Sequence, residues 1–289
     1  MAAPILVTGA SSAVGARVVD QLRGQARPVR CLVRRRPVAN ADECVQGDLR
    51  DGSTLDAAVR GAEVVLHLAA VTHARRSRDY VETNLLGTRR LLDAAARHGV
   101  LRFVHVSTRA VSETGGAYSR SKLLAERAVA DAPVEHTIVR LSEMYGGAGA
   151  ERIDQIVSRA RRGATIPIVG GGGERVCPMH VDDAVAAIVA AVDAPVAGGR
   201  TYTLGGECMS IREFAEACAR AFSTVSRLRP VPVTAVMAAG LLARVLPLPI
   251  YPDQLARLRA EDKPQPSSEA EQELGFRTRP LAEGLAALG

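Results

Sequence analysis

Residues 5–19 read ILVTGASSAVGARVV and join an apolar run to a glycine-bearing turn and then to a helical pattern. ILVT is typical of a buried strand, and AVGARVV has apolar residues at helical spacing. The turn places Ser12 between Gly9 and Gly15. Backbone N–H groups at such a helix start, helped by the helix dipole, can hold a pyrophosphate. The hydroxyl of Ser12 stands where a middle glycine would allow the closest approach, so it either bonds the phosphate or keeps it away.

The same alternation of strand and helix continues to residue 140. Further apolar runs lie at 29–33, 64–68, 103–107 and 137–140, and helical patterns lie at 13–23, 53–60, 79–98 and 118–131. Apolar runs that alternate with helices are typical of right-handed βαβ units in a parallel sheet that is buried on both faces. The sequence therefore predicts an α/β protein with a doubly wound parallel sheet in residues 1–145.

After residue 140 this rhythm breaks, and glycine- and proline-containing segments separate shorter elements. Helices are predicted at 152–162, 181–193, 210–222, 253–261 and 280–288, and a late strand of the sheet at 200–204. We expect residues 146–289 to form mainly a small C-terminal α/β lobe, with elements near 176–205 returning to the sheet. The bend between the two parts would open a cleft over the carboxyl ends of the first strands, where ligands bind in such sheets.

The chain is basic, with a formal net charge of +6 and an isoelectric point near 9.4. Its arginines are dispersed in short groups, and only 3% of its residues are aromatic, so nucleic acid bases would find few rings to stack on. We therefore expect no nucleic acid partner, since a small anionic molecule accounts equally well for the positive balance. His67 and His180 lack companions at metal-ligand spacing, which predicts no metal site.

The cysteines and the apolar segments indicate where in the cell the protein is expected to be and whether it is expected to bind a membrane. The five cysteines are odd in number and form no C-x-x-C pair, which predicts reduced thiols in a cytoplasmic protein. The opening MAAPILVTGA runs straight into a strand without a basic segment, unlike a signal peptide. Residues 233–246 are apolar but contain Arg244 and stop at Pro247, so they are too short to cross a bilayer and are predicted to form a buried helix. We expect no membrane partner.

Positions after the second, third and fourth strands extend the nucleotide site. Asp48, in QGDLRD, is placed to accept a hydrogen bond from an adenine amine, and small Ala69 and Ala70 let a cofactor lie close to the backbone. The second strand ends in LVRRRP, without the acidic residue that grips an NAD ribose, so Arg34 and Arg35 are predicted to clamp a 2′-phosphate. The cofactor predicted on these grounds is NADP, with NAD as the alternative.

Tyr118 and Lys122 lie four residues apart in a predicted helix, so they share one face. A phenol has a pKa near 10, and an ammonium held nearby lowers it toward the range in which the tyrosine can exchange a proton. Lysine is rare in this chain, which has only Lys122 and Lys263, and its compact charge suits this task better than a planar guanidinium. Ser107 and Thr108 end the preceding strand, and either hydroxyl could hold the substrate oxygen beside Tyr118.

These motifs resemble those of the extended short-chain dehydrogenases/reductases, the NAD-dependent epimerase/dehydratase group. The matching segments, which span nearly the whole chain, are TGASSAVG, GDL at 47–49, LHLAA at 66–70, NLLGT at 84–88, VST at 106–108, YSRSK at 118–122, RLSEMYG at 140–146, HVDDAV at 180–185, YTLGG at 202–206 and the closing ELGFRTRPLAEGL. The resemblance implies a Rossmann domain with a small C-terminal substrate lobe, and a homodimer formed through the helices at 79–98 and 118–131.

The resemblance also assigns residues to a site. It implies catalysis by Thr108 or Ser107 together with Tyr118 and Lys122. The predicted contacts of a small-molecule substrate are Thr108, Glu143 and Arg175. The predicted cofactor contacts are Gly9, Ser11, Ser12, Ala13, Val14, Gly15, Arg34, Arg35, Asp48, Leu49, Leu68, Ala69, Ala70, Tyr118 and Lys122.

Two departures from the family pattern narrow the expected reaction. Arg109 and Ala110 stand where the sugar dehydratases carry an Asp-Glu pair, so elimination of water is not expected. Glu143 replaces an asparagine that contacts the substrate diphosphate in nucleotide-sugar members, and its carboxylate would repel a diphosphate. We expect NAD(P)-dependent hydride transfer at a secondary alcohol or ketone of a polar, sugar-like molecule. A nucleotide-sugar epimerase using the same residues and a non-catalytic NADP-binding structural or regulatory protein are the alternatives.

Overall fold

The computed structural model describes residues 2–147, 152–194, 197–242, 256 and 263–289. Its main sheet contains β1 (Ile5–Thr8), β2 (Val29–Val33), β3 (Glu43–Gln46), β4 (Val64–His67), β5 (Arg102–Thr108), β6 (Glu135–Leu141) and β11 (Arg200–Leu204). These seven strands are all parallel and lie in the order β11-β6-β5-β4-β1-β2-β3. The predicted doubly wound parallel sheet is therefore confirmed, including the late strand at 200–204.

Helices cover both faces of this sheet. The described helices are α1 (Ala13–Gly24), α2 (Gly52–Val59), α3 (Ser77–Tyr80), α4 (Gly87–Arg97), α5 (Gly116–Ala130), α6 (Arg152–Arg161), α7 (Val181–Asp193), α8 (Ile211–Ala221), α9 (Val233–Leu242), α10 (Ser268–Leu274) and α11 (Leu281–Ala286). Because side chains alternate along a strand, Val7 packs with α1 and α7 on one face, whereas Leu6 packs with α2, α4 and α5 on the other. Burial on both faces explains why these strands read as continuous apolar runs.

Short strands and helices build the rest of the described chain. The strands are β7 (Met144–Tyr145), β8 (Ile166–Val169), β9 (Arg175–Val176), β10 (Met179–His180), β12 (Met209–Ser210) and β13 (Leu228–Val231). β7 pairs with β10 and β8 with β13 in parallel, and β9 pairs with β12 in the antiparallel direction. A separate core joins Ile156 of α6, Ile168 of β8 and Phe214 of α8. The division into domains at residue 145 stays a prediction.

The helix predictions in this part have mixed outcomes. Those at 152–162, 181–193, 210–222 and 280–288 are confirmed to within a few residues. The predicted helix at 253–261 lies outside the described residues, apart from Ala256. The segment 233–246 was predicted to form a buried helix. Residues Val233–Leu242 do form a helix, α9, but the prediction that it is buried is wrong. Val233 is 41% exposed, and none of the side chains at 233–239 is buried. None of them belongs to a core cluster of the described chain.

The prediction that all five cysteines are reduced is also wrong. Cys177 and Cys208 form a disulfide, whereas Cys31, Cys44 and Cys218 are free. The pairing of β9 with β12 sets Val176 opposite Met209, so the two bonded cysteines follow and precede paired residues on neighbouring strands. They are 31 residues apart in sequence, so no local sequence motif could have predicted that they form a disulfide. The argument for a cytoplasmic location from reduced thiols therefore loses its premise.

Among the described residues, none of the helices combines the length and the apolar character that a membrane span requires.

Candidate active site

The turn after β1 leaves no room for side chains at its two glycines. Gly9 has φ +73°, and a Cβ there would lie 2.6 Å from the backbone nitrogen of Ala69, at the end of β4. A Cβ on Gly15 would lie 2.3 Å from the carbonyl oxygen of Gly9. The turn, the start of α1 and the end of β4 are therefore packed backbone against backbone, which brings Leu68, Ala69 and the turn to one edge of the sheet.

The Ser12 hydroxyl has an internal task. It caps α1 by accepting a hydrogen bond from the Gly15 N–H at 3.0 Å, and it donates to the Gly9 carbonyl at 2.9 Å. Ser11, Ser12 and Ala13 stay exposed, Val14 is half-buried, and the first turn of α1 holds no acidic side chain. An exposed, acid-free helix start beside a glycine cradle fits the pyrophosphate of a dinucleotide.

A basic pocket lies at the ends of β2 and β3. Arg34 and Arg35 are exposed and line it together with Asp48 and Arg50. The Arg50 guanidinium contacts the Asp48 carboxylate at 2.7 Å, and the Arg50 N–H donates to the same carboxylate at 3.0 Å. The side-chain hydrogen bond from Arg50 holds the pKa of Asp48 below its usual value. Sequence reasoning missed Arg50. Asp51 lines the pocket as well, so its three arginines, Arg34, Arg35 and Arg50, exceed its two aspartates by one positive charge.

The wall beside the predicted cofactor site is held by Asn84, which sequence reasoning treated only as part of a motif. Asn84 is fully buried in a π-helical turn, Val81–Leu86, between α3 and α4. Its amide accepts from the Val71 N–H at 2.8 Å, donates to the Val71 carbonyl at 3.0 Å and donates to Ser121 of α5 at 3.1 Å. One side chain thus ties the loop after β4 to the helix that carries Tyr118. Such π-turns are frequent at functional sites.

Tyr118 and Lys122 both lie on the first half of α5 and are both buried, at 7% and 2% exposure. The Tyr118 ring meets the ring of Tyr80 edge-on, with centroids 5.9 Å apart. The Lys122 ammonium donates to the Val106 carbonyl at 2.9 Å and lies 3.2 Å from Nε2 of His105. Burial lowers the pKa of Lys122 to about 8, although the charge of nearby Glu126 opposes this shift. The lysine is therefore anchored on β5.

The two candidate hydroxyls at the end of β5 have different surroundings. Thr108 is half-buried, and its Oγ1 accepts a hydrogen bond from the Ala110 N–H at 3.1 Å. Ser107 is 6% exposed, and its Oγ has no hydrogen-bond partner within the described residues. Consecutive strand residues face opposite sides of a sheet, so only one of the two can share the side that Tyr118 approaches.

His67 and His180 form structural contacts. His67 places Nδ1 2.6 Å from the Thr8 hydroxyl and Nε2 2.9 Å from the Thr88 hydroxyl. Burial, with the Lys122 charge as a second cause, lowers the pKa of His67 to about 3, so the ring is neutral. His180 caps α7 by accepting from the Asp182 N–H. In the described ranges no three His, Cys, Asp or Glu side chains come together as metal ligands would.

A buried ion pair stands at the predicted substrate end. Arg109, with a side chain only 3% exposed, donates to both carboxylate oxygens of Glu143 at 3.0 and 3.1 Å and to the Arg175 carbonyl at 3.1 Å. Burial alone would raise the pKa of Glu143, but Arg109 and the Cys177 N–H outweigh it and hold the pKa below its usual value. The Glu143 carboxylate thus has a counter-ion. The Arg175 side chain, which is exposed, bonds the Cys208 carbonyl instead.

Comparison with known proteins decides the family. The sequence model of the NAD dependent epimerase/dehydratase family matches residues 5–205. The chain belongs to this family. The match covers the whole parallel sheet, including β11, and it ends where the sheet ends.

Relatives in this family differ in reaction. Ceramide reductase from Caulobacter vibrioides is 34% identical over 200 residues, which are 67% of this chain and 62% of that protein. A dTDP-glucose 4,6-dehydratase from Streptomyces antibioticus is 40% identical over 123 residues, which are 36% of this chain and 37% of that enzyme. The chain therefore aligns with less than two thirds of the length of either relative.

Solved structures show the same fold over nearly the full chain. A dTDP-glucose 4,6-dehydratase from Streptomyces venezuelae, solved with NAD bound, is 25% identical, with a TM-score of 0.76 over 98% of this chain and 95% of that one. UDP-glucose 4-epimerase from Thermotoga maritima is 19% identical, with a TM-score of 0.76 over 98% of this chain and 96% of that one. The epimerase shares the fold alone at this identity.

Proposed function

We propose that this family member is an NADP-dependent reductase that transfers hydride to a ketone carbon of a small molecule, and in reverse oxidises the secondary alcohol. The observation that supports it most is the placement of buried Tyr118 and Lys122 on one face of α5, with Lys122 anchored to β5. The same edge of the sheet carries the glycine cradle. A proton donor and a nucleotide site at one edge are what hydride transfer to a carbonyl requires.

Each side chain has a defined task in this proposal. Tyr118 donates its phenolic proton to the substrate oxygen as the carbonyl becomes an alcohol. The Lys122 ammonium stabilises the phenolate that remains, because an opposite charge nearby favours the ionised form. Thr108 orients the substrate oxygen through its hydroxyl, the more accessible of the two at the end of β5. The nicotinamide, when bound, supplies the hydride.

The preference for NADP over NAD rests on the basic pocket. Two exposed guanidiniums, Arg34 and Arg35, face a space that two carboxylates also line: Asp48, which is held by Arg50, and Asp51, which accepts a hydrogen bond from the Ser53 hydroxyl. A 2′-phosphate brings negative charge that two guanidiniums can bind in a forked geometry. Reductases commonly draw on the NADPH pool, so this pocket also favours reduction over an epimerisation that retains its nucleotide.

The substrate end supports a carbonyl reduction rather than a dehydration. Dehydratases of this family use an acidic pair where this chain has Arg109 and Ala110, and Arg109 is buried in its ion pair with Glu143. An arginine held this way cannot serve as the acid or base that removes water. Reduction is the reaction in the name of the ceramide reductase relative, and we propose the same reaction class for this chain on a polar substrate.

A cofactor experiment tests the proposal directly. Binding of NADPH and NADH is measured by fluorescence for the wild type, for Arg34→Ala with Arg35→Ala, and for Arg36→Ala. Loss of charge-assisted bonds to the phosphate should weaken NADPH binding tenfold or more, roughly the value of one such bond, and leave NADH nearly unchanged. Arg36 is equally exposed but does not line the pocket, so Arg36→Ala is the matched control. Equal weakening of both cofactors would refute the NADP assignment.

A second experiment tests the reaction. The protein is supplied with NADPH and a panel of keto sugars and ketones, and the loss of NADPH absorbance is followed for the wild type and for Tyr118→Phe. The assignment of Tyr118 as the proton donor is supported if the wild type oxidises NADPH with one of these substrates, and if Tyr118→Phe binds NADPH but no longer oxidises it. An oxidised nucleotide that stays bound through purification, without net NADPH consumption, would point to epimerisation. Undiminished biological activity of Tyr118→Phe would point to a non-catalytic binding protein.

We also propose a homodimer through α4 and α5. A surface groove between them is lined by apolar and charged side chains of both signs: Arg89, Leu92, Asp93, Ala96, Arg97, Ala128, Asp131, Ala132 and Pro133. Arginines and aspartates that can pair across a two-fold axis suit a self-complementary interface. Sedimentation should give a dimer for the wild type and a monomer for Ala96→Glu, an exposed position in this groove. A wild-type monomer would contradict this.

A further inference from the structure

Helix α9 has no charged residue, its one polar residue is Thr234, and it lies at the surface. Its ten residues read VTAVMAAGLL, without a charge. Val233, Thr234, Ala235 and Ala238 are exposed, and the other side chains at 233–239 are half-buried. A helix that is apolar all round is expected in a protein core or in lipid. An exposed apolar surface of this kind marks an interaction site.

Positive charge surrounds this helix in the sequence. Residues 217–252, which include α9, contain four arginines and no aspartate or glutamate. Residues 155–173, which include the paired strand β8, contain three arginines and likewise no acidic residue. Both stretches meet where β13 pairs with β8, immediately before α9. These two stretches of sequence are therefore more one-sidedly basic than the chain as a whole.

The strand that leads into α9 displays these charges to solvent. Arg227 and Arg229 are both exposed, and Arg229 pairs in register with exposed Pro167 of β8. Neither arginine makes an ion pair with another residue in the described part of the chain. Val225, 91% exposed, precedes them, and Val233, 41% exposed, follows the strand as the first residue of α9. Apolar and basic side chains thus follow one another along a single exposed stretch.

We propose that this surface, formed by α9 with Arg227 and Arg229, docks on the surface of an anionic lipid bilayer. This departs from the expectation of no membrane partner, which rested on a segment too short to cross a bilayer and did not consider binding at its surface. A ten-residue helix is about 15 Å long, half of what a hydrocarbon core of about 30 Å requires, so α9 lies in the interface rather than across it. Its exposed apolar side chains, Val233, Ala235 and Ala238, enter the boundary between head groups and acyl chains. The arginines bind lipid phosphates, which supply the negative charge that this part of the chain lacks.

The features of α9 favour a bilayer over an acidic protein. A protein partner recognises a helix through an apolar stripe at regular spacing beside polar side chains that set the register. α9 offers no charged side chain of its own to set such a register, and its one polar side chain is Thr234. A fluid acyl boundary needs no such register and can receive the exposed face of α9, whose opposite side chains, Val236, Met237 and Ala239, are half-buried. The docking is separate from the proposed hydride transfer and is tested without substrate.

The experiment is flotation of the full-length protein with two kinds of vesicles, phosphatidylcholine alone and phosphatidylcholine mixed in equal parts with phosphatidylglycerol. The wild type should bind the anionic vesicles and bind the neutral ones far more weakly. Arg227→Gln with Arg229→Gln should weaken anionic binding about fivefold for each arginine, or about 25-fold together. Ala235→Glu with Ala238→Glu, two exposed positions on one face of α9, should abolish binding to both vesicles.

Matched controls carry similar changes elsewhere. Arg78→Gln with Arg120→Gln removes two exposed charges, at 74% and 66% side-chain exposure, far along the chain from α9. Leu101→Glu places a charge at an apolar residue that is 65% exposed. Both should bind like the wild type. Thermal unfolding checks each variant, and if the glutamate pair unfolds the protein, the arginine pair decides. Absence of binding to either vesicle, as expected if the partner is an acidic protein, or equal losses in the controls, would overturn the proposal.

Discussion

The ammonium nitrogen of Lys122 lies 3.2 Å from Nε2 of His105, and both side chains are buried in the protein interior. His105 is fully buried, and burial, reinforced by the Lys122 charge, lowers its pKa well below the usual value. The ring is therefore neutral and can accept a hydrogen bond from the ammonium, which the Val106 carbonyl also accepts. The positive charge that the proposed mechanism needs beside Tyr118 is thus kept in place by β5, before any nucleotide binds.

We predict that Lys122 titrates with a pKa of about 8, lowered by burial, whereas an exposed lysine would titrate near 10.5. The chain has only two lysines, so a protein labelled with ¹³C-lysine gives two side-chain signals. The variant Lys122→Met removes one of them and assigns the other to Lys263. A Lys122 signal that keeps its charged chemical shift up to pH 10 would show that the buried charge is better stabilised than this prediction states.

The same burial predicts that Lys122→Met stabilises the fold while it abolishes hydride transfer. The pKa of Lys122 is lower in the folded chain than in the unfolded chain, so the charge costs the folded state free energy at neutral pH. Removing it should raise the free energy of unfolding at pH 7 by about 2 kcal/mol, after about 1 kcal/mol is subtracted for the lost hydrogen bonds. Above pH 8 the wild type loses the proton, and the difference should shrink.

Urea unfolding of the two proteins at pH 7 and pH 9.5 measures this difference. If Lys122→Met is less stable than the wild type at both pH values, the lysine contributes packing or hydrogen bonds worth more than its desolvation costs. The result for Lys122→Met would then contradict the idea that the lysine lowers the stability of the fold in return for its function.

Much of the fold was predictable because its signals are local. The runs at 5–8 and 29–33 became β1 and β2 with the predicted bounds, since a strand buried on both faces needs nothing but apolar side chains. Helix α9 was predicted from the same kind of signal, and its burial was wrong. Apolar composition makes a helix favour burial, but whether a core is present to receive it depends on the rest of the chain.

The candidate site likewise contains residues that a local sequence pattern predicted and contacts that no local pattern could predict. Tyr118 and Lys122 could be found because four residues is the spacing of one helix face. The ion pair of Arg109 with Glu143 joins residues 34 positions apart, and no local pattern reports such a contact. Asn84 was visible as part of a motif, but its bonds to Val71 and Ser121 follow from the packing of three separate elements.

The disulfide leads to a prediction about thiol counts. In denaturant without reductant, three of the five cysteines should react with iodoacetamide, and all five should react after reduction. In the native protein Cys44 should react first, because burial raises the pKa of Cys31 and of Cys218 to about 12. Five reactive thiols without reductant would show that the purified protein lacks the bond between Cys177 and Cys208.

Removing that bond should also cost stability. A crosslink over 31 residues restricts the unfolded chain, so Cys177→Ala with Cys208→Ala should lower the free energy of unfolding by about 4 kcal/mol under oxidising conditions. With a dithiol present, which reduces the wild-type disulfide to two thiols, the difference between the proteins should largely vanish. An equal difference with and without the dithiol would assign the loss to packing of Cys177 rather than to the crosslink.

The buried pair of Arg109 and Glu143 should show strong coupling in a double-mutant cycle. Glu143→Gln leaves a guanidinium without a counter-ion at 3% exposure and should cost about 3 kcal/mol of unfolding free energy. Arg109→Met leaves the carboxylate in its place and should cost a similar amount, whereas the double variant should cost much less than the sum. The exposed pair of Arg127 and Glu113 is the matched control, with coupling below about 1 kcal/mol.

Acid titration gives this pair a second signature. The pKa of Glu143 is lower in the folded chain than in the unfolded chain, so its contribution to stability is present above the unfolded pKa and is lost as the pH falls through the folded one. The stability advantage of the wild type over Glu143→Gln should therefore be constant near neutral pH and decline on acidification. Weak coupling together with a pH-independent difference would mean that Arg109 finds other acceptors, and that Glu143 is open to a substrate.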